Sequence, residues 1–569
     1  MALDMATSRP DDTPRAADEG TGGPVPPRSG SAVVARWLPL ALAIVCFAVL
    51  AGLVLSQAEK LIEPDPYAYR ASIAALEDGN LTLTQDQHDQ LTAELQKSSL
   101  GGGILQWHQT ADGSWVSEKN PGYPFLAVGF DEAGALRLAP LFYGALACIG
   151  LWFGGRRWLG RWGGTFAVGA YCSAAVVMVM AWRSTMPTFT DASLVACGVG
   201  LLVWAALALE RTRRIRVVVG SLAFLALGLA VFVRYTNVAV LAVAAGFALA
   251  LCLRPRWRLG RTTLVWWALV SSAPLIASLA YNAVVFDGPF STGYRSSDVQ
   301  FTLESIPKNL KIMPSHLWRA MPVFVIALAA VVAIVGIQLW SLTRRRSDTR
   351  PTMAPSTESL TAAEPAEVPR LVADRWIGLF LVGAWAATWG VYAAYQWTAN
   401  VGGGGFGGPG GGGGIGGTTY TIVRFYVPAM GAIALLASWL LVRLPKAVGV
   451  AVIVVLFVVG VAGFLSTVNS RWAQMFGGGG ITAGAGQGFP GGGQGAPSGQ
   501  GGPGGQVPDL SKCPNLPSLP TGPTGGQPGS GTGGPQFAGG TPGGGPPTGL
   551  TFDADGCPVF PSTTTTAPG

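Results

Sequence analysis

The chain has 569 residues and is 49% hydrophobic but only 12% charged, with a mean hydropathy of +0.39. A soluble globular protein carries about 25% charged residues, so the deficit excludes an ordinary soluble domain and predicts many lipid-facing segments. The net charge of +7 lies in short Arg clusters between apolar segments, without a basic face or an aromatic RNA-binding motif, which argues against nucleic acid as a partner.

Residues 1–35 are rich in Pro, Gly, Asp and Arg and lack apolar periodicity, so they read as a disordered cytoplasmic tail. A membrane domain follows over 36–466. Its first segment, Trp37 to Ser56, is uncharged and long enough to cross ~30 Å of hydrocarbon. With no cleavage-site pattern after it, it reads as a retained anchor. Further candidate spans run over 135–154, 163–182, 191–209, 217–233, 236–253, 262–282, 319–341, 376–397, 425–442 and 447–465, making eleven. The fold class is therefore an all-α polytopic membrane protein.

The Lys and Arg positions set the orientation. With the N-terminus inside, the cytoplasmic connections contain Arg156-Arg157…Arg161, Arg211…Arg216, Arg254…Arg261, Arg344-Arg345-Arg346 and Arg443…Lys446. The first outside loop, 57–134, carries 12 acidic residues against 4 Lys/Arg. The alternation requires two helices within 217–253, turning at Arg234-Tyr235-Thr236-Asn237. The expected location is the plasma membrane, with the C-terminal tail outside.

Loop 57–134 has helical periodicity at Tyr69, Ile73 and Leu76 and again from Leu91 to Leu95. Loop 283–318 holds the turn signal Phe286-Asp287-Gly288-Pro289 and then an amphipathic stretch, Thr302–Leu317. Loop 398–423 is nearly pure glycine between Val401 and Gly417, and 467–569 is a Gly/Pro-rich low-complexity tail outside the membrane. Five of the seven Cys lie in apolar segments; a disulfide between Cys513 and Cys557 of the tail is left open.

The outer helix ends carry an unusual set of cations: Lys119, Arg183, Arg234, Arg295 and Arg424. Positive charge is normally depleted there, and a membrane-bound phosphate would account for it. The alternative is that each cation pairs with a nearby carboxylate or snorkels to headgroups. Glu63 and Asp65 flank Pro64, with Pro66 next. A residue before proline favours extended backbone, which puts i and i+2 on one face. Both carboxylates would then enter one cleft, one as general base and the other tuning it; an acidic solvated loop start is the plainer reading. Two carboxylates do not make a metal site, so no metal ligands are assigned and a divalent cation is left open. His88, His108 and His316 have no triad partners, and no Walker A or G-x-S-x-G sequence is present.

Taken in order, Asp65-Pro66-Tyr67, Lys119 to Pro124, Arg183-Ser184-Thr185-Met186-Pro187 with Asp191, Arg234 to Asn237, Tyr281-Asn282 through Gly293-Tyr294, and Arg424-Phe425-Tyr426-Val427-Pro428 resemble bacterial integral-membrane glycosyltransferases of the GT-C fold. That group includes protein O-mannosyltransferases and lipid A aminoarabinose transferases, and the resemblance covers about residues 36–465. It implies hexosyl or pentosyl transfer from a polyprenyl-phosphate sugar to an extracytoplasmic acceptor by an inverting displacement. It implies a first-loop carboxylate as base, for which Asp65 matches better than Glu63. It implies binding of the lipid phosphate by basic and neighbouring residues, here Lys119, Tyr123, Arg183, Arg234, Tyr294 and Arg424. Membrane lipid is the other expected partner. The runner-up is a transporter or flippase of lipid-linked envelope intermediates, which would be expected to break helices at mid-membrane; the apolar segments read as unbroken.

Overall fold

The computed structural model describes residues 30–59, 65–97, 106–110, 113–208, 213–254, 259–294, 300–347, 370–400, 415–469, 551–552 and 558–559. In chain order, α1 (Gly30–Ser56) is followed by α2 (Asp65–Glu77), α3 (Gln85–Lys97), the strands β1 (Trp107–Gln109) and β2 (Trp115–Ser117), and α4 (Gly122–Glu132). Next come α5 (Ala139–Leu159), α6 (Arg161–Cys172), α7 (Ala175–Trp182), α8 (Thr188–Leu207), α9 (Arg213–Val233), α10 (Val238–Cys252) and α11 (Arg261–Val285). Then follow α12 (Ser305–Ala320), α13 (Val323–Ser347), α14 (Arg370–Ala393), α15 (Gln396–Asn400), α16 (Ile415–Val423), α17 (Met430–Leu441) and α18 (Lys446–Val468). The chain divides into two units. The first, Met1–Ala485, holds all these elements. Of the second, Gly486–Gly569, the described residues form an antiparallel pairing of β3 (Thr551–Phe552) with β4 (Pro558–Val559).

Ten helical stretches among the described residues are long and apolar enough to cross a membrane. The remaining predicted span, 163–182, is broken: α6 and α7 meet at 63°, with Ala174 extended between them. This corrects the expectation of unbroken segments. Thr165 Oγ1 donates to the Pro39 carbonyl (2.7 Å) near the start of α1, and Trp182 Nε1 donates to the Ala58 carbonyl (2.9 Å) just past its end. The bent pair therefore covers the same thickness as α1 and runs parallel to it. Counted as one crossing, it brings the candidate spans among the described residues to the predicted eleven.

Two predicted boundaries move. α1 begins at Gly30, inside the stretch expected to be disordered, and α16 begins at Ile415, inside the expected glycine loop. The rest of the glycine loop (401–414), most of the tail with Cys513 and Cys557, and residues 1–29 lie outside the described residues. The predicted turn within 217–253 is present as a 3-10 turn, Tyr235–Asn237.

The centre of the bundle is α8 together with the 419–441 stretch, whose side chains are nearly all enclosed. The flanking helices present large apolar side chains outward, among them Ile44, Leu269, Val332 and Val458. In water that surface would be unstable; against lipid tails it costs nothing.

One end of the bundle gathers the basic connections. There Arg157 Nη2 donates to the Leu207 carbonyl (3.0 Å), Arg443 pairs with Asp374 (3.0 Å), and Trp158 Nε1 donates to the same carboxylate (2.7 Å). The opposite end carries the first loop. In that loop α2 places Tyr67, Ala71 and Ala75, four residues apart, against Leu91 and Leu95 of α3, the spacing of one helix face. Thr84 and Gln87 cap α3 reciprocally: Gln87 N donates to Thr84 Oγ1 (3.3 Å) and Thr84 N to Gln87 Oε1 (2.9 Å).

Candidate active site

The segment Lys119-Asn120-Pro121-Gly122-Tyr123 is fixed by its fit to the end of α9. Asn120 Nδ2 donates to the Val233 carbonyl (3.3 Å), which the helix end leaves without an intrahelical partner. A Cβ on Gly122 would lie 2.5 Å from Val233 N and collide with the Phe232 carbonyl, so only glycine permits this approach. The hairpin β1–β2, with Trp107 paired to Ser117, sets the other side, and Glu118 N donates to the Gln106 carbonyl (3.0 Å). Lys119 thus lies between a hairpin and a helix end, and its side chain is buried.

Asp65 opens α2, with Pro66 in the first turn, where the missing N–H removes no helical hydrogen bond. Asp65 is thus helical where an extended residue was expected, and at a helix start backbone N–H groups favour an anion. Glu63 lies outside the described residues, as does Arg295.

Three distant stretches converge on Asp65. Lys119 Nζ lies 3.3 Å from Asp65 Oδ1 and 2.9 Å from Glu118 Oε1, and Arg424 Nη2 lies 3.0 Å from Asp65 Oδ2. Gln106 also hydrogen-bonds the carboxylate. Burial alone would raise the Asp65 pKa, but the Lys119 ammonium and the Arg424 guanidinium outweigh it and hold the carboxyl well below the usual range. Burial likewise opposes the charge on Lys119; Asp65, Tyr294 and Glu118 overcome it and raise its pKa.

Aromatic rings line the site. Lys119 Nζ lies 5.2 Å from the Tyr294 ring centre. The Arg424 guanidinium lies 4.9 Å from the Phe425 ring centre and 5.5 Å from that of Trp397, and the Arg234 guanidinium lies 5.5 Å from that of Phe425. Tyr294 is delivered by Gly293. A Cβ there would come within 2.9 Å of the Glu118 carbonyl carbon and oxygen and closer still to its Cα. The loop before Tyr294 is held in turn by Asn282, which accepts from Tyr235 OH (3.1 Å) and donates to the Pro289 carbonyl (3.3 Å).

Arg234 is braced from below. Its Nε lies 3.4 Å from Asp191 Oδ2 and its Nη2 donates to Thr188 Oγ1 (3.3 Å). Asn237 Nδ2 donates to the other Asp191 oxygen and to the Ala230 carbonyl (2.9 Å). Asp191 is fully buried, so these partners are what make its charge tolerable.

Of the residues read from the sequence, Asp65, Lys119, Tyr294 and Arg424 meet directly. Arg234 joins them through Phe425. Tyr123 and Arg183 do not touch Asp65. Tyr123 is fully enclosed, donates to the Ser184 carbonyl, and meets the edge of Tyr69 at 5.9 Å. Arg183 is buried at the corner between α7 and α8. The next two residues grip Glu59: Ser184 Oγ donates to Oε2, and Thr185 N and Oγ1 donate to Oε1 (both 3.2 Å). This corner positions the exit of α1, because Trp182 also holds Ala58. Gln106, Glu59, Trp397 and the role of Phe425 were missed. Only the Gln106–Glu118 contact had a local signal, and it depends on the hairpin register. Among the described residues no three His, Cys, Asp or Glu side chains converge as a metal site.

No protein-family model matches the chain, and no curated protein matches it. Among solved structures it is similar to ArnT from Cupriavidus metallidurans bound to undecaprenyl phosphate, at 14% identity over 78% of this chain and 72% of that one, with a TM-score of 0.40. It is also similar to the Archaeoglobus fulgidus oligosaccharyltransferase in its apo form, at 12% identity over 75% of this chain and 56% of that one, with a TM-score of 0.41.

Proposed function

We propose that the chain is a membrane glycosyltransferase that moves a sugar from a polyprenyl-phosphate donor to an extracytoplasmic acceptor with inversion. The observation that carries this reading is the Asp65 carboxylate held between Lys119 and Arg424 at one end of a membrane bundle. In the proposed reaction Asp65 takes the proton of an acceptor hydroxyl, whose oxygen attacks the anomeric carbon. The bond from that carbon to the phosphate oxygen breaks, and the polyprenyl phosphate leaves with the electron pair. Lys119, Arg424 and Arg234 are preorganised cations for that growing charge, which lowers the barrier.

In the free protein Asp65 is a weak base, because two cations stabilise its charge. A donor phosphate would compete for the same cations, loosening their hold on the carboxylate and raising its basicity as the acceptor arrives. Tyr294, Trp397 and Phe425 offer ring faces for a sugar. The apolar flanks of the helices suit the prenyl tail. The end with Asp65 is assigned to the outside because the opposite end collects the basic connections.

The bend between α6 and α7 is the one observation that favours a transporter of lipid-linked intermediates. It is packed shut, however: Gly460 of α18 abuts the Ser173 carbonyl, and Ser173 Oγ donates to the Ala170 carbonyl (3.1 Å). The test uses the purified protein with a labelled polyprenyl-phosphate sugar, beside Asp65→Asn and Glu63→Gln. Loss of transfer in Asp65→Asn supports the assignment. Full activity in both variants sinks the proposed base, and vesicle transport without transfer favours the second reading.

A further inference from the structure

One side of α12 buries Asn309, Met313 and Leu317. The opposite side is exposed and divided lengthwise. At 3.6 residues per turn, Leu310 and Trp318 fall on one flank, and Lys311, Lys308 and Arg319 on the other. Leu310 and Trp318 leave 63% and 56% of their surface open. The helix contains no Asp or Glu. None of its three exposed cations forms an ion pair among the described residues. Val323 opens a candidate membrane span directly after the helix, so α12 ends at the bilayer surface. An apolar flank with Trp beside a cationic flank is the arrangement of a helix lying in the headgroup layer.

We propose that the free side of α12 is a docking surface for anionic phospholipids of the leaflet at the Asp65 end. Lys308, Lys311 and Arg319 meet the headgroup phosphates while Leu310 and Trp318 enter the acyl boundary. Charge complementarity selects this occupant, because three cations beside a single acid, the N-cap Glu304, leave the face net positive, which would repel a basic partner and give a neutral headgroup no advantage. The inference stands independently of the transfer reaction.

It also has a structural consequence. On the inner side, Asn309 Nδ2 donates to the Ala393 (2.8 Å) and Tyr395 (2.9 Å) carbonyls, and His316 Nδ1 hydrogen-bonds Thr419 Oγ1 at 3.0 Å. Tyr395 leads to Trp397, and Thr419 lies in α16, which runs into Arg424. A lipid-held α12 therefore buttresses both chain segments that deliver the aromatic wall around Arg424.

The test places the full chain in nanodiscs of phosphatidylcholine, with or without phosphatidylglycerol, and follows hydrogen exchange over residues 303–320. Slower exchange with phosphatidylglycerol, reversed by high salt, is expected. Native mass spectrometry should find phosphatidylglycerol retained at least about tenfold over phosphatidylcholine. The Lys308→Gln/Lys311→Gln/Arg319→Gln variant should lose both effects, and the Lys308→Arg/Lys311→Arg/Arg319→Lys variant should keep them. Equal exchange of the wild-type chain in the two bilayers overturns the proposal, and this comparison does not depend on any variant folding. An unchanged phosphatidylglycerol response in the neutralised variant overturns it too. So does equal protection by polyprenyl phosphate in a neutral bilayer.

Discussion

Asp65 Oδ2 lies 3.0 Å from Arg424 Nη2, joining the first residue of a short surface helix to the start of a 3-10 turn near the end of the bundle. Lys119 approaches the other carboxylate oxygen at 3.3 Å. Only 17% of the Asp65 side chain is exposed, so water screens these pairs far less than a surface ion pair. The arrangement is stable as it stands and is charge-balanced locally, with Glu118 offsetting the second cation. In the proposed reaction a donor phosphate would redistribute those contacts.

Asp65→Asn removes the proposed base while keeping the shape of the side chain. Transfer should fall by about 10²–10⁴-fold, the range for loss of a positioned general base. Donor affinity should hold or improve, because the amide no longer competes with phosphate for Lys119 and Arg424. Steady-state transfer together with direct donor titration separates these effects. A raised donor Kd with unchanged turnover would make Asp65 a binding residue instead.

The pH dependence follows from the sign of the shifts. The folded pKa of Asp65 is depressed, so its contribution to stability is fully present above its unfolded value of about 3.9 and disappears as pH falls through the folded pKa. That of Lys119 is raised, so its contribution is full below about 10.4 and fades only at higher pH. The Tm difference between wild type and Asp65→Asn should therefore stay flat from about pH 5 to 9 and shrink only below about pH 4. A difference that changes near neutral pH would show that the carboxylate is not held by the two cations.

Gly293→Ala would drive a methyl into the Glu118 backbone. Relief requires moving Tyr294 away from Lys119, at a cost of about 1–3 kcal/mol for overpacking, and the donor KM should rise. Gly246→Ala in α10 meets nothing within 4 Å and should leave transfer and Tm unchanged. Thermal unfolding in detergent and transfer assays on the two variants test this contrast.

Arg234→Met leaves the Asp191 carboxylate buried without its cation. The loss should be about 3–5 kcal/mol, larger than that of Asp191→Asn/Arg234→Met, in which no charge remains. A double-mutant cycle by denaturant unfolding in mixed micelles measures the coupling. If the double variant is as unstable as the single one, the charge pair is not what holds this corner.

The two helices of the first loop and the break at Tyr235–Asn237 were legible in the sequence because each depends on neighbours in the chain: a four-residue apolar spacing and a cation too costly for mid-membrane. The 63° bend between α6 and α7 was not legible. Ser173 and Ala174 carry no breaker signal, and the space for the bend comes from Gly460, in a distant helix.

The same division runs through the site. The apolar runs and basic connections by themselves determined a helical bundle of ten or eleven candidate spans, because crossing lipid demands length and hydropathy that are written residue by residue. They also brought Glu63, Asp65, Lys119, Arg183, Arg234, Arg295 and Arg424 to one end as candidates, and the family resemblance added Tyr123 and Tyr294. Only the tertiary structure decided which of these touch. It joined Lys119 and Arg424 to one carboxylate and set Gln106 beside it. It set Tyr123 on the Ser184 carbonyl and Ser184 and Thr185 on Glu59. Those outcomes depend on close approaches, such as Gly293 on Glu118 and Gly122 on the end of α9, and such contacts are set by how whole elements pack.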